Sequence, residues 1–297
     1  MSTLAPWTLR GQIFAWGKQT YLMGVLNVTP DSFSDGGLFN TLEAAVAQAE
    51  QMVKAGAHIL DIGGQSTRPQ ADEVPLTEEL DRVIPVITAL RSKGAIASTL
   101  DPTLDPIPVT SIPISVDTTR AAVAQAAIQA GADLVNDISG ATYDPDMLAI
   151  VADLGVSIVL MHRRGTPKTM QKLTQYENLI SEIYEFLARR VDAAVAAGIN
   201  PTRIVLDPGI GFAKTYAQNL EILRQVGTFR SLGCPVLIGA SRKSFIGNIL
   251  DQPDPKQRVW GTAAACCAAI ANSADVVRVH DIAEMRDVCR VADAIWR

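Results

Sequence analysis

Residues 21–37 read YLMGVLNVTPDSFSDGG. Tyr21 to Leu26 is apolar throughout, the pattern of a strand buried on both faces. The run stops at Asn27, and Pro30, Asp31, Ser32, Ser34, Asp35, Gly36 and Gly37 then make a polar, turn-rich loop. Beyond it, Thr41 to Ala55 places Leu42, Ala45, Val46, Ala49, Met52 and Val53 on one helical face, with Thr41 as N-cap and Gly56 as stop. Strand, polar loop and helix form one βα unit. The fold depends on how often that unit recurs.

It occurs eight times in all. His58 to Ile62 is a short apolar strand containing Asp61, closed by Gly63-Gly64 and the loop Gln65 to Pro69, with a helix from Leu76 to Ser92. Ile112 to Val116 ends at Asp117 before a helix from Thr119 to Ala130, and Ala132 to Val135 ends at Asn136-Asp137 before a helix from about Pro145 to Leu154. Val156 to Met161 ends at His162, ahead of a long helix from about Tyr176 to Ala197. Arg203 to Leu206 ends at Asp207, Pro235 to Ile238 ends at Gly239, and Asp275 to Arg278 leads to His280. Helices follow at about Tyr216 to Val226, Ser244 to Leu250 with Lys256 to Asn272, and Ile282 to Ile295.

Parallel strands of similar length, alternating with helices over about 250 residues, predict a single (β/α)8 TIM barrel of class α/β. An open doubly wound sheet is the competitor. No Gly-x-Gly-x-x-Gly follows the first strand, and no linker divides the chain. One domain is therefore expected over 1–297, with the barrel from about 21 and a short N-terminal β-hairpin within about 7–20. The hairpin centres on Leu9 to Gln19, broken by Gly11 and Gly17, and is expected to plug or cap the barrel. The proline-containing stretch Ala97 to Ser111 falls between a helix and the next strand, hence on the N-terminal face.

A chain of 297 residues with 48% hydrophobic content buries a large core. Its net charge of −5 provides no broad basic field for nucleic acid, so an anionic substrate needs a local cationic cluster. Four cysteines without metal or CxxC spacing fit core packing in a reducing cytoplasm. MSTLAPWTLRGQ has no apolar core of signal-peptide length, and Thr262 to Ala271 is too short to span a bilayer. A soluble, cytoplasmic protein is expected.

In a parallel barrel, reactive groups come from the C-terminal ends of the strands. Here those ends carry Asn27, Asp61, Asp117, Asn136, His162, Asp207, the Lys243 loop, and Arg278 with His280. Any one of them has a capping or solvation role as its plain alternative. Together, Asp117, Asn136 and Asp207 suit a flat heterocycle with N–H donors and carbonyl acceptors, through charge-assisted hydrogen bonds worth about 1.5–3 kcal/mol each. Lys243 adds a donor. Its plain alternative, a surface lysine at a helix start, opposes the helix dipole. Arg278 and His280, two apart on an extended segment, point the same way and suit an anion. His58, inside an apolar run, reads as structural. HExxH, G-x-S-x-G and a complete Walker loop are absent, and GASRKS at 239–244 only superficially suggests the last.

The stretches GVLNVTPDSFSDGG, DIGGQSTRP, SVDT, NDISG, MH followed by GTP, LDPGIGFAK, GASRKSFIG and RVHD occur in this order over residues 21–281. Together they resemble the dihydropteroate synthase family, whose members adopt the eight-stranded barrel. The resemblance implies a folate-pathway transferase joining p-aminobenzoate to 6-hydroxymethyl-7,8-dihydropterin diphosphate, with Mg²⁺ as cofactor and a homodimer as assembly. It implies pterin contacts from Asp117, Asn136, Ile138, Met161, Asp207, Phe212, Gly239 and Lys243. Asn27, Arg68, Arg278 and His280 would hold the diphosphate, with Asn27 also the metal ligand. Phe33, Thr67, Arg68, Pro69 and Ser244 would shape the p-aminobenzoate site. The catalytic set would be Asn27, Asp35, Lys243 and Arg278.

Two features depart from the family pattern. Arg163-Arg164 stands where a more neutral pair such as Met-Gln is expected, adding positive charge near the ligand entrance, and Ala97 to Ser111 is longer than expected. A pterin-dependent methyltransferase on the same barrel, a non-catalytic pterin binder and a lysine-dependent aldolase remain as alternatives. The SFSDGG, STRP and SRKS segments favour the synthase over the methyltransferase.

Overall fold

The computed structural model describes residues 4–29, 38–66, 71–92 and 109–297. Eight parallel strands form its centre: β3 (Tyr21–Asn27), β4 (Ile59–Gly63), β5 (Ile114–Asp117), β6 (Leu134–Asp137), β7 (Ser157–Met161), β8 (Ile204–Asp207), β9 (Leu237–Ile238) and β10 (Val276–Val279). They are hydrogen-bonded in the order β8-β7-β6-β5-β4-β3-β10-β9, and a parallel bridge between Leu206 and Val236 joins β8 to the segment entering β9. The expected barrel is therefore observed, and the open-sheet alternative is excluded by that last pairing.

The helices sit between the strands: α1 (Leu38–Ala55), α2 (Leu76–Ser92), α3 (Ala121–Gln129), α4 (Met147–Leu154), α5 (Leu179–Ala196), α6 (Tyr216–Arg224), α7 (Val226–Arg230), α8 (Ser244–Ile249), α9 (Val259–Ala271) and α10 (Ile282–Trp296). Their apolar faces and the outward side chains of the strands make one continuous core, from Leu22 and Leu26 through Ile183 and Leu187 to Met285. Several ends differ from the expectations. Helix α1 starts at Leu38, so Thr41 lies inside it and is not its cap. Helix α5 starts at Leu179 rather than Tyr176 because Asn178 caps it, its side chain accepting from Ser181 N at 3.0 Å. The segment expected to be helical from Lys256 splits into a 3₁₀ turn, Pro255–Gln257, and α9.

The hairpin is β1 (Trp7–Leu9) paired antiparallel with β2 (Gln12–Phe14). Its two-residue turn, Arg10-Gly11, has positive φ at both positions (47° and 79°), as a tight primed turn requires. Trp7, Phe14 and Trp16 pack with Tyr21 against Met23, Ile59, Leu134, Val159, Val205, Leu237 and Val276, side chains from the early parts of the strands. Phe14 and Tyr21 are 4.7 Å apart between ring centroids, and Trp7 meets Trp16 edge-on at 5.1 Å. The hairpin thus plugs the N-terminal end of the barrel. Among the described residues no helix is long and apolar enough to cross a membrane.

Candidate active site

At the opposite end, strand register aligns the polar residues. Asn27 is level with Gly63, Gly63 with Asp117, Asp117 with Asn136, and Met161 with Asp207. The strands feed side chains inward at this level because a parallel strand's last inward position faces the open mouth. Gly63 and Gly239 keep the floor low: a Cβ on Gly63 would meet the Asp117 Cβ at 3.4 Å, and one on Gly239 would lie 3.9 Å from the Arg278 Cβ.

Arg278 organises the centre. Its Nε donates to Asp61 Oδ2 at 2.5 Å, and a terminal N–H donates to Asp117 Oδ2 at 2.8 Å. Asn136 Nδ2 donates to the same Asp61 oxygen at 3.0 Å. A carboxylate only accepts, so Asp61 fixes which atom of the Asn136 amide faces it and leaves the amide oxygen to accept from a ligand. Asp61 is wholly buried, and its Oδ1 has no partner among the described residues. Burial opposes charge on Arg278, but Asp61 and Asp117 outweigh it and raise its pKa. Burial raises the Asp117 carboxyl to about 7 against the pull of Arg278, with Asp61, Glu79 and Asp137 adding to the rise.

On the next strands, Asp207 Oδ1 accepts from Gly209 N at 2.7 Å. Burial raises its pKa, while that hydrogen bond and the charges of Lys243, Lys214 and Arg278 lower it. Lys243 occupies the position before α8, not a solvated surface. Its ammonium donates to the Ile210 carbonyl and lies over the Phe212 ring, 4.3 Å from the centroid. Burial lowers its pKa to about 8, opposed by Asp207. Gly211 (φ 80°) is obligatory beneath it, since a Cβ there would sit 2.7 Å from the Lys243 Cδ.

Ile138, Met161 and Phe212 form an apolar cluster with Met170 and Ala213, beside the polar groups. Charged edges and apolar walls together make a slot suited to a flat, polar ring. Ser244 starts α8 beside Lys243 and is exposed. His280 follows β10 and lies 3.0 Å from Ser241 Oγ through Nδ1, while Arg278 turns inward to the carboxylates. The two residues share the mouth but have different partners. Phe33, Asp35, Thr67, Arg68 and Pro69 lie outside the described residues, as does most of the 97–111 stretch.

The expectation for Arg163-Arg164 holds for one of the two. Arg164 is engaged with Glu182 and the Gln175 carbonyl and lies over the Tyr176 ring at 3.7 Å. Arg163 lines a cavity of about 140 Å³ with Asp117, Ile138, Tyr143 and Lys168. Of two further site residues, Asp61 was expected only as one of the strand-end groups, with no specific partner, and Lys214 was not expected at all. Asp61 carried a signal, as the one charge in an otherwise apolar buried strand. Lys214 carried none, since a lysine ahead of a helix reads as solvated.

Among the described residues no group of three His, Cys, Asp or Glu side chains could hold a metal alone. Mg²⁺ commonly retains water and takes few protein ligands beside substrate phosphates, so a single amide oxygen from Asn27 fits such an ion only in company with a phosphorylated ligand.

The family model described as pterin binding enzyme matches residues 23–280. Over 285 residues the chain is 59% identical to the dihydropteroate synthase of a Synechocystis strain, covering 96% of this chain and 93% of that protein. The chain belongs to the dihydropteroate synthase family of pterin-binding enzymes. Two solved dihydropteroate synthases are similar across almost all of its length. The Xanthomonas albilineans protein, with 4-aminobenzoic acid, is 41% identical with TM-score 0.87, covering 99% of this chain and 98% of that one. The Clostridium difficile protein, in the presence of pteroic acid, is 42% identical with TM-score 0.84, covering 96% and 99%.

Proposed function

We infer that this chain is a dihydropteroate synthase that condenses p-aminobenzoate with 6-hydroxymethyl-7,8-dihydropterin diphosphate, giving 7,8-dihydropteroate and diphosphate. The observation that carries the reading is the convergence of Asp117, Asn136, Asp207 and Lys243 on one apolar slot beside an inward-facing Arg278. The carboxylates of Asp117 and Asp207 accept from the N–H edges of the ring, and the Asn136 oxygen accepts another donor. Lys243 donates to a ring acceptor, and Ile138, Met161 and Phe212 sandwich the ring faces.

The reaction breaks the carbon–oxygen bond at the pterin methylene. The bonding pair leaves with the diphosphate, the electron-rich ring shares the positive charge at carbon, and the aniline nitrogen supplies the new pair. The attacking nitrogen loses its proton after bonding, so no strong base is needed. The protein's tasks are to align two reactants, which contributes on the order of 7–11 kcal/mol, and to receive departing negative charge. Arg278, His280 and Asn27 serve the second task at the β3 and β10 side of the mouth, with Arg68 from the second loop. Phe33, Thr67, Arg68, Pro69 and Ser244 serve the aniline, and Asp35 belongs to the catalytic set.

Asn27, in company with the substrate phosphates, would hold Mg²⁺, and the ion would supply charge neutralisation for the leaving group. A homodimer is favoured by the exposed stripe Trp260, Ala264 and Ala271 on α9, extended by Ile249 at the end of α8 and by Leu250 just after it. The inward face of α9, including Thr262, Cys266 and Ala269, belongs to the core. Four unpaired cysteines fit the cytoplasm. The decisive experiment measures diphosphate release by the purified protein from the pterin diphosphate with Mg²⁺. Release that depends on p-aminobenzoate supports the synthase; release indifferent to it, or none, overturns the reading.

A further inference from the structure

Lys214 follows Phe212-Ala213 in the loop after β8 and is only 3% exposed. Its Nζ donates to the Phe212 carbonyl at 2.9 Å and lies 3.0 Å from His162 Nδ1. His162 directly follows Met161, so one buried amino group, its pKa lowered well below the ordinary lysine value by burial against the pull of Asp207, joins the backbone of one slot wall to the neighbour of the other through its N–H donors.

The rest of the junction is equally fixed. His162 N donates to the Asp207 carbonyl at 2.9 Å, and its ring is met edge-on by Phe186 at 4.9 Å. Tyr176 donates to the Ala213 carbonyl at 3.0 Å. Gly209 (φ 76°) admits the close approach: a Cβ there would fall 1.9 Å from the His162 carbonyl oxygen and 3.3 Å from Lys214 Nζ. Burial, helped by the Lys214 and Arg164 charges, lowers the His162 pKa to about 2, so its ring is neutral and Nδ1 accepts. Lys214 therefore points at two fixed acceptors and is almost wholly shielded from solvent.

We propose that Lys214 is a positioning residue that sets the separation of the Met161 and Phe212 walls, and thereby the fit of the pterin ring. The proposal rests on the synthase reading above. Lys214 works through His162 and the Phe212 carbonyl. Removing its N–H donors while keeping its volume releases both walls and leaves two buried acceptors unsatisfied.

The test is Lys214→Met in the full chain. Wild-type turnover establishes the synthase reading independently; its absence would overturn that reading, whatever the variant does. In a turning-over background, Lys214→Met is expected to raise the KM for the pterin diphosphate about tenfold or more, since small misplacements at a site are costly. KM for p-aminobenzoate at saturating pterin substrate should stay within about twofold, the split that distinguishes loss of slot geometry from a general structural effect. His162→Leu should weaken pterin use likewise and add little to Lys214→Met, because both cut the same link. If Lys214→Met fails to fold, Lys214→Gln carries the same comparison, retaining an N–H donor on a side chain one bond shorter. Unchanged pterin KM, or equal rises for both substrates, overturns the proposal.

Discussion

Arg278 Nε lies 2.5 Å from Asp61 Oδ2, joining the last barrel strand to the second across the register of β3. The guanidinium is thus aimed before any anion arrives, and the same carboxylate oxygen orients Asn136. Asp61→Ala removes both anchors and strands the cation beside Asp117. Breaking a buried pair in this way costs about 3–5 kcal/mol, so urea denaturation should show a clearly lower midpoint. Asp61→Asn should lose catalysis with a smaller stability loss. A variant unfolding like the wild type after Asp61→Ala would contradict the role assigned to this contact.

Lys243→Met and Asp207→Asn each delete one charge-assisted hydrogen bond to the ring. At about 1.5–3 kcal/mol per bond, pterin affinity should fall by roughly 10- to 150-fold in each. Arg68→Ala should chiefly raise the requirement for p-aminobenzoate. Titration calorimetry with the pterin substrate and steady-state kinetics with both substrates separate these outcomes; unaltered constants in all three variants would refute the assignments.

Pterin binding should be bell-shaped in pH. The Asp117 carboxyl, raised to about 7 by burial, must be ionised to accept a ring N–H, so affinity rises with pH on that side. Lys243, lowered to about 8 by burial, loses its charge on the other side, so affinity falls again. Asp117→Asn should flatten the acid limb and Lys243→Arg the alkaline one, both read from ligand-binding titrations across pH.

His58 accepts from Leu22 N at 3.0 Å and packs against Tyr21, and burial lowers its pKa from 6.5 to about 4. The unfolded chain takes up its proton first. His58 therefore contributes stability that is complete above pH 6.5 and is lost as pH falls towards 4. His58→Asn keeps an acceptor near the Nδ1 position and should make the melting temperature less steeply pH-dependent over that window. An unchanged slope would remove His58 from the acid response.

Phe14, 1% exposed, fills the closed end of the barrel. Phe14→Ala should cost about 3–5 kcal/mol of stability, measured by denaturation. Both KM values should stay unchanged at temperatures where the variant is folded, since the plug and the site occupy opposite ends.

The eightfold βα pattern was legible because buried parallel strands are short apolar runs, and the groups that end them are local in sequence. Asp117, Asn136, Asp207 and Lys243 announced themselves in that way. The helix ends were less legible, since Asn178 rather than the apolar pattern decides where α5 begins. The partners of Arg278 were not legible at all: spacing shows that it alternates with His280, but only closure of the ring brings it to Asp61, 217 positions away. Lys214 was hidden for a similar reason. Its burial comes from the folded loop around it and not from its sequence neighbours.

The aromatic hairpin leaves the barrel as a well with a single opening. Both reactants and both products must pass the same rim, and the bicyclic ring belongs at the bottom. An aniline seated first would stand in its way, so ordered loading is expected, with the deeper reactant entering ahead of the shallower. By the same token, the expelled diphosphate is expected to depart early and the joined product to empty the well last.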